Sequence, residues 1–405
     1  MSRRFLFLLI AALAARLAWI AWIPLGGASL YPFFDADGYK EAAEALHNGE
    51  FLDNGEQIKR MPLYPALTAF FGRGISQNPL TADNAPGIGA VRIWHALLDV
   101  GALACLYLFV RRWQGEGPAL AAGVLYAFYP LALYRIPLMN TEIIQGAAVA
   151  FWILGASRLL DAPRMREALL LSLLSSVLAF ISPALQFLPL LFAVYLFFAY
   201  PWKTFYRIAA ALLIPYAAIC IGWGLRNDAL TGQFFLFDTR GGKEFWMGNF
   251  QEVDGRWEGP KQDVWIAKWH EYTKKIEDEG GGEREVNQYL YRRGVQEILL
   301  NPPGALLLFA KKFLRFWYVP ASERMLYLTV PLQTFYLALA GVGIAAAGIR
   351  KRVAALPLFL IGYYCGLYTL SYACIRFSLP IMPWVCALAG IGLCGLWNWR
   401  KESSQ

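Results

Sequence analysis

Ten long apolar runs constrain the fold of this chain more than any other feature. A helical span needs about 20 apolar residues, because the hydrocarbon core of a bilayer is roughly 30 Å thick. Among spanning structures, helices satisfy their own backbone hydrogen bonds within one segment. The pattern therefore predicts an all-α integral membrane protein with about ten transmembrane helices. The runs lie near residues 5–25, 88–110, 117–134, 141–160, 166–181, 183–200, 208–225, 327–349, 354–371 and 378–398.

Composition agrees with a protein that lies mostly in lipid. Of the 405 residues, 58% are apolar and 16% are charged, whereas soluble domains carry about a quarter charged residues. The net charge of +8 does not indicate nucleic-acid binding, because the basic residues form short clusters between apolar runs. The lipid bilayer is thus the expected partner, and no nucleic acid is. The six cysteines lie in or beside apolar runs without a CxxC pair, which favours small buried residues over a disulfide framework.

The basic clusters predict the orientation in the membrane. If ten helices cross, every cluster lies on the cytoplasmic side together with both termini. Residues 1–30 resemble a signal peptide, but Arg16 interrupts the apolar run and the chain stays apolar afterwards, which favours a retained helix. The clusters are Arg3-Arg4, Arg111-Arg112, Arg158 with Arg164 and Arg166, Lys203 with Arg207, Arg350-Lys351-Arg352, and Arg400-Lys401.

Two further segments are apolar enough for helices, 61–72 and 305–319. Counting either as a span would move a basic cluster to the outer side, so we predict that both lie on the outer membrane surface. Three regions follow. They are an N-terminal transmembrane module, 1–225, with a first outer loop at 26–87; an extracytoplasmic loop region, 226–303, of mixed structure; and a juxtamembrane helix with the C-terminal transmembrane helices, 304–405.

The first outer loop carries the residues best suited to chemistry. Asp35-Ala-Asp37-Gly-Tyr39 is followed by Arg60-Met-Pro-Leu-Tyr64-Pro. A carboxylate can take the proton of a hydroxyl, and an arginine can bind a phosphate through paired hydrogen bonds. Together they indicate chemistry on a lipid-linked phosphate. The alternatives are a helix cap for either aspartate and an interfacial arginine that contacts lipid headgroups.

Two charged residues lie inside predicted membrane helices, Arg16 and Asp99. Both lie roughly 18 Å above the cytoplasmic anchors at 1.5 Å per residue. Because an unpaired charge is costly in lipid, we predict that they pair between the first two helices. The alternative is that Arg16 faces a cavity for a lipid phosphate.

These motifs resemble the first outer loop of the polyprenyl-phosphate-dependent, multi-spanning (GT-C type) glycosyltransferases. That group includes the family 39 protein mannosyltransferases and the bacterial aminoarabinose transferase of lipid A. Later segments are similar in the same order, so the resemblance covers most of residues 5–395. Those segments are His95-Ala-Leu-Leu-Asp99 through Arg112, Tyr129-Pro130 through Glu142, Arg226-Asn227 through Asn249, and Arg376-Phe-Ser-Leu-Pro380.

The resemblance implies roles for the first outer loop. Asp35 matches the catalytic aspartate, Tyr39 the aromatic four residues later, and Arg60 a basic residue that holds the lipid phosphate. Tyr64 belongs to the same motif and is expected at the substrate. The aminoarabinose enzyme has a second basic residue where this chain has Gly38. One phosphate contact is therefore missing here or is supplied from elsewhere.

The candidates for that contact are Arg376 and Arg226, for which interfacial anchoring is the alternative. The resemblance also implies a site role for Glu142, in positioning the acceptor or in binding a metal. The alternative for Glu142 is a first-turn acid favoured by the helix dipole, with Asn140 as cap. No cofactor is assigned, and a divalent metal is left open. The histidines match no zinc spacing.

The sequence thus predicts an inverting glycosyltransferase of a bacterial inner (plasma) membrane. The donor is a polyprenyl-phosphate-linked sugar, and the acceptor is a hydroxyl of a glycolipid, polysaccharide or protein on the extracytoplasmic face. A transporter or flippase of a lipid-linked sugar is the alternative, although no internal repeat is visible in the sequence. A third interpretation is a non-catalytic assembly subunit.

Overall fold

The structure is a computed structural model that describes residues 2–22, 39, 42–43, 45–46, 60–71, 86–257, 260–320, 325–347 and 352–402. All regular structure in these residues is helical, so the all-α prediction is confirmed. The α-helices are α1 (Arg3–Trp22), α2 (Leu63–Phe71), α3 (Pro86–Gln114), α4 (Glu116–Ala127), α5 (Pro130–Arg135), α6 (Glu142–Asp161), α7 (Met165–Ile181), α8 (Leu188–Ala199), α9 (Trp202–Thr231), α10 (Gly241–Asn249), α11 (Gln262–Asp278), α12 (Glu283–Leu300), α13 (Pro302–Tyr318), α14 (Leu326–Ala346), α15 (Leu356–Leu370) and α16 (Met382–Glu402). Short 3₁₀ segments lie at Pro183–Leu185, Gln251–Val253, Arg352–Ala355 and Ile375–Ile381.

Each predicted apolar run contains a helix, but the count of ten spans is not established. Within the described residues, six helices are long and apolar enough to cross a membrane. The helices in the other apolar runs are shorter, and several of them begin or end near a proline. Helix α4, for example, has 12 residues, and at 1.5 Å per residue it covers roughly 18 Å of a 30 Å hydrocarbon core. The six are α1, α6, α9, α14, Gly89–Gln114 of α3, and Ile375–Arg400, which contains α16.

The membrane helices pack through close backbone contacts. Helix α16 lies against α14 and α4, and α3 lies against α4 and α6. A Cβ at Gly343 would overlap the Leu388 carbonyl oxygen, and one at Gly390 would overlap the backbone of Ala122. Helices in lipid gain little from excluding water, so small residues that allow close packing are the expected contacts.

The buried ion pair predicted between the first two helices is confirmed. Arg16 Nε donates to Asp99 Oδ2 over 2.7 Å, and Arg16 Nη1 donates to the Ala127 carbonyl over 3.0 Å. Tyr126 donates its hydroxyl to Asp99 Oδ1 over 2.5 Å. Arg16 is fully buried, so it does not face an open cavity. The pair joins α1, α3 and α4.

Helix α13 is amphipathic as predicted, but its cations meet protein rather than headgroups. Leu306 and Leu307 are 68% and 59% exposed on one face. On the other face Lys312 and Arg315 are buried against the unit formed by helices α10 to α12. We call it the outer unit, because the sequence predicts region 226–303 on the outer side. The apolar core of that unit contains Trp246, Trp265 and Leu290.

Candidate active site

The start of helix α6 brings together two residues that the sequence singled out. Glu142 is the first residue of α6 and is buried. Its Oε1 lies 3.6 Å from Nε of Arg376. Arg376 belongs to the 3₁₀ segment Ile375–Ile381, which packs on α6 where Gly146 meets Pro380. Tertiary structure thus pairs two predicted site residues from opposite ends of the chain.

Arg135, at the end of α5, is a third member of this group that sequence reasoning missed. It is 8% exposed. Burial lowers the pKa of Arg135, the charge of Glu142 opposes that shift, and Arg376 adds to it. Two guanidiniums therefore share the neighbourhood of one carboxylate. The available signal was its position, since Arg135 lies on the predicted outer side, away from the six cytoplasmic clusters.

The capping interpretation of this region needs a correction. The residue that caps α6 is Thr141, without a side-chain cap hydrogen bond, and not Asn140. Within the described residues, the buried Oε2 of Glu142 meets no hydrogen-bond donor. Leaving a buried acceptor unsatisfied costs about 1–3 kcal/mol. An acid that only favoured the helix dipole would stay near water, so burial beside two arginines points to a site role.

The Arg60 guanidinium packs on a row of three rings, Tyr39, Tyr64 and His95, which we call the Arg60 stack. The guanidinium lies 4.3 Å from the ring centroid of Tyr39, whose ring meets Tyr64 edge-on at 4.9 Å. His95 Nδ1 lies 3.0 Å from the Ile136 carbonyl oxygen, which can only accept, so this nitrogen carries the proton. Nε2 then accepts from the Tyr64 hydroxyl over 3.2 Å. The stack holds the Arg60 group on helix α3.

The Arg60 stack and the Glu142 group lie at the same end of α6. Tyr64 shares an apolar cluster with Ile144, two residues after Glu142, and Tyr39 packs against that cluster. Tyr64 is fully buried and supports Tyr39, and its contact with a substrate stays a prediction. Asp35, the predicted catalytic residue, lies outside the described residues.

Asp238 is a second residue that sequence reasoning missed. It lies between α9 and α10, outside the membrane helices, and its carboxylate accepts the backbone N–H of Arg240. Burial raises the pKa of Asp238 to about 7, while the charges of Arg240 and Arg60 act in the opposite direction. Arg60 therefore lies close enough to the carboxylate of Asp238, in the segment between α9 and α10, for the two charges to interact. Nothing in the sequence around Asp238 marks it out.

Arg226 has contacts on its own helix. Its guanidinium stacks 4.5 Å from the ring centroid of Trp223 and donates to Asn227 Oδ1 over 2.9 Å. These contacts do not join it to Glu142 or Arg60. A role for Arg226 at the phosphate stays a prediction.

The groups around Glu142 do not suit a metal ion. Its charged neighbours are the guanidiniums of Arg376 and Arg135, which repel a cation. Across the described ranges, no group of three or more His, Cys, Asp or Glu could hold a metal. We therefore assign no metal here and derive no step through one.

Comparison with known proteins identifies the fold. Neither a protein-family model nor a curated sequence matches the chain. Solved structures of the oligosaccharyltransferase AglB from Archaeoglobus fulgidus do match. A complex with an inhibitory peptide and a dolichol-phosphate superposes with a TM-score of 0.56 and 13% identity, over 97% of this chain and 50% of that one. The apo form gives a TM-score of 0.57 and 14% identity, over 97% and 50%.

The chain thus spans about half the length of AglB. At this level of identity, the likeness establishes the fold alone. The chain therefore shares its fold with the oligosaccharyltransferase AglB, and the GT-C type predicted from the sequence motifs is confirmed as a fold.

Proposed function

We propose that this chain is an inverting glycosyltransferase that moves a sugar from a polyprenyl phosphate to an acceptor hydroxyl on the extracytoplasmic face. The observation that carries the proposal is the group of Glu142, Arg376 and Arg135 at one end of α6. The likeness to AglB supports a phosphate at this group, since a solved structure of AglB is a complex with a dolichol-phosphate. A lipid-linked phosphate would place its chain among the membrane helices and its charge at these arginines.

The arginines suit a phosphate leaving group. Guanidiniums form paired, charge-assisted hydrogen bonds with phosphate oxygens. When the bond from the sugar to phosphate breaks, negative charge grows on that oxygen, so fixed positive charge stabilises the transition state more than the ground state. Arg376 and Arg60 are the candidates for this contact. A phosphate with a second pKa of about 6 can leave without being protonated.

Asp35 is the proposed base, on the strength of the resemblance. Its carboxylate takes the proton of the acceptor hydroxyl, and the acceptor oxygen attacks the anomeric carbon. The bond from that carbon to the phosphate oxygen breaks, and polyprenyl phosphate leaves with the electron pair. Attack opposite the leaving group inverts the anomeric configuration.

Transfer assays with purified protein in nanodiscs test the proposal. Each reaction contains one synthetic polyprenyl-phosphate sugar and a fraction of cell-envelope acceptors, and mass spectrometry detects released polyprenyl phosphate and glycosylated product. We expect Asp35→Asn to lower turnover by about 10²- to 10⁴-fold, the usual contribution of a general base, with donor binding unchanged. Asp37→Asn is the matched control and should retain turnover.

Normal turnover in Asp35→Asn would remove that residue from the role. Movement of the donor across a vesicle membrane without release of polyprenyl phosphate would instead support a transporter. Comparison of surface glycans and glycolipids with and without the gene would then identify the acceptor.

A further inference from the structure

Helix α13 buries a lysine in an unusual setting. The side chain of Lys312 is fully buried. Its Nζ lies 2.9 Å from Asn249 Oδ1, 3.0 Å from the Ser371 carbonyl and 3.4 Å from the Leu370 carbonyl. An ammonium has three donors, and all three acceptors here are neutral oxygens. Burial, with the nearby charge of Arg315, lowers the pKa of Lys312 to about 7.

The acceptors of Lys312 belong to the segment that leads to Arg376. Residues 371–374 connect α15 to the 3₁₀ segment Ile375–Ile381. Asn249 Nδ2 also donates to the Leu370 carbonyl over 2.9 Å, and Ile375 N donates to the Val319 carbonyl over 3.0 Å. The connection is therefore held at both ends, one residue before Arg376.

Helix α10 approaches this connection closely. A Cβ at Gly248 would overlap the Ser371 carbonyl oxygen. The residue next to Gly248 is Asn249, which is buried and accepts from Lys312. The end of α10 thus packs on the connection through backbone contact as well as through the lysine.

A second ionic contact fixes the outer unit to α13. Asp254 adopts the left-handed backbone region, with φ 57°, which a non-glycine residue seldom does. Its carboxylate accepts from Lys311 over 2.9 Å and pairs with Arg315, whose Nη1 donates to the Asp254 carbonyl over 2.5 Å. Asn249 therefore lies on a unit that is itself anchored to the helix of Lys312.

We propose that Lys312 is a positioning residue for Arg376: by binding Asn249 and the carbonyls of Leu370 and Ser371 together, it fixes the connection that places the Arg376 guanidinium beside Glu142. An apolar side chain at position 312 would leave these oxygens unsatisfied and the connection free to move. The consequence for catalysis rests on the proposed function. The ordering of the connection does not.

Hydrogen exchange measured by mass spectrometry on the full chain in nanodiscs tests the ordering. We expect Lys312→Met to speed amide exchange across residues 371–377 by about tenfold or more, because a bond from a charged donor is worth at least that factor. The matched control is Lys311→Met. Lys311 is the neighbouring residue and binds Asp254 only at the surface, so exchange there should stay within about twofold.

A double-mutant cycle tests the link to Arg376. If Lys312 acts through Arg376, Lys312→Met and Arg376→Met should each lower kcat/KM for transfer, and the double variant should be no worse than Arg376→Met alone. A merely structural lysine would give additive losses. Additive losses, or exchange in residues 371–377 equal to that of the Lys311 control, would overturn the proposal.

Two further outcomes are possible: the variant does not fold, or the wild-type chain shows no transfer. If Lys312→Met does not fold, Lys312→Gln keeps a polar side chain at this position but removes the charge and cannot bind all three acceptors, so faster exchange across residues 371–377 is again expected. If the wild-type chain transfers no sugar from any polyprenyl phosphate, the proposed function fails. The exchange experiment then still decides whether Lys312 orders the connection.

Discussion

Replacing Glu142 by glutamine distinguishes two roles for this residue: a charge that acts in the site, or an acid that only favours the helix dipole. The substitution keeps the size of the side chain and one acceptor oxygen, and it removes the negative charge that faces Arg376 and Arg135. Arg376 would lose this ionic contact and would still face the like charge of Arg135. We expect transfer to fall while the fold is kept.

The magnitude follows from the distance and the burial. Two unit charges 3.6 Å apart interact by about 4–5 kcal/mol at an effective dielectric constant of about 20. Two effects reduce this. The Arg376 side chain is 20% exposed, and the amide oxygen keeps a partial negative charge near Arg376. A net loss of about 1.5–3 kcal/mol is expected, as for hydrogen bonds to charged groups, which lowers kcat/KM about 10- to 150-fold.

The assay is steady-state transfer from a polyprenyl-phosphate sugar with purified variants. Glu167→Gln is the matched control, because Glu167 is also an acid in the first turn of a helix, α7, and forms no ion pair with an arginine among the described residues. Removing the Glu167 charge should lower the free energy of unfolding by about 0.3–1 kcal/mol through the helix dipole and leave kcat/KM unchanged. Equal kinetic effects of the two substitutions would refute the reasoning.

Four other changes have defined outcomes. Asp99→Asn should cost about 3–5 kcal/mol of stability, because it leaves the buried Arg16 unpaired; thermal unfolding in detergent measures this. The reversed pair (Arg16→Asp with Asp99→Arg) should recover only part of that loss, because an aspartate at 16 cannot donate to the Ala127 carbonyl, and full recovery would contradict the assigned bonds. Arg60→Met should raise KM for the donor at least about tenfold, with Arg60→Lys in between; an unchanged donor KM would exclude a phosphate contact. Wild-type stability relative to that of Asp238→Asn should fall by about 1–3 kcal/mol as pH rises from about 4 to 7, because the raised pKa of Asp238 lets the folded state hold a proton that the unfolded state releases; a difference between the two proteins that does not change with pH would contradict this.

Helix α13 shows where sequence reasoning met its limit. The spacing of its apolar residues predicted an amphipathic helix, and the structure has one at Pro302–Tyr318. Its polar face was expected at the membrane surface. The face is instead covered by Asp254 and Asn249, which lie in a region that carries no pattern complementary to α13. Amphipathicity identifies which face is polar, but not what covers it.

The site residues divide in the same way. Arg60 stood out as a phosphate-binding side chain beside Asp35 in the first outer loop, and Glu142 and Arg376 stood out through the resemblance to the GT-C type glycosyltransferases. Arg135 and Asp238 did not stand out, because their significance lies in which groups are near them. Proximity between residues far apart in the chain is a property of packing, so no local pattern contains it.

The amino-acid sequence by itself determined that the chain is helical and lies in lipid, since long apolar runs leave the backbone no other way to satisfy its hydrogen bonds. It also determined the pairing of Arg16 with Asp99, because two charges at equal depth in lipid have few other partners. Only the tertiary structure decided that Glu142 meets Arg376 and that Lys312 holds the connection beside it. Those contacts join segments that are distant in sequence, and the packing of helices α6, α10, α13 and α15 brings the charged and polar groups within about 4 Å of each other.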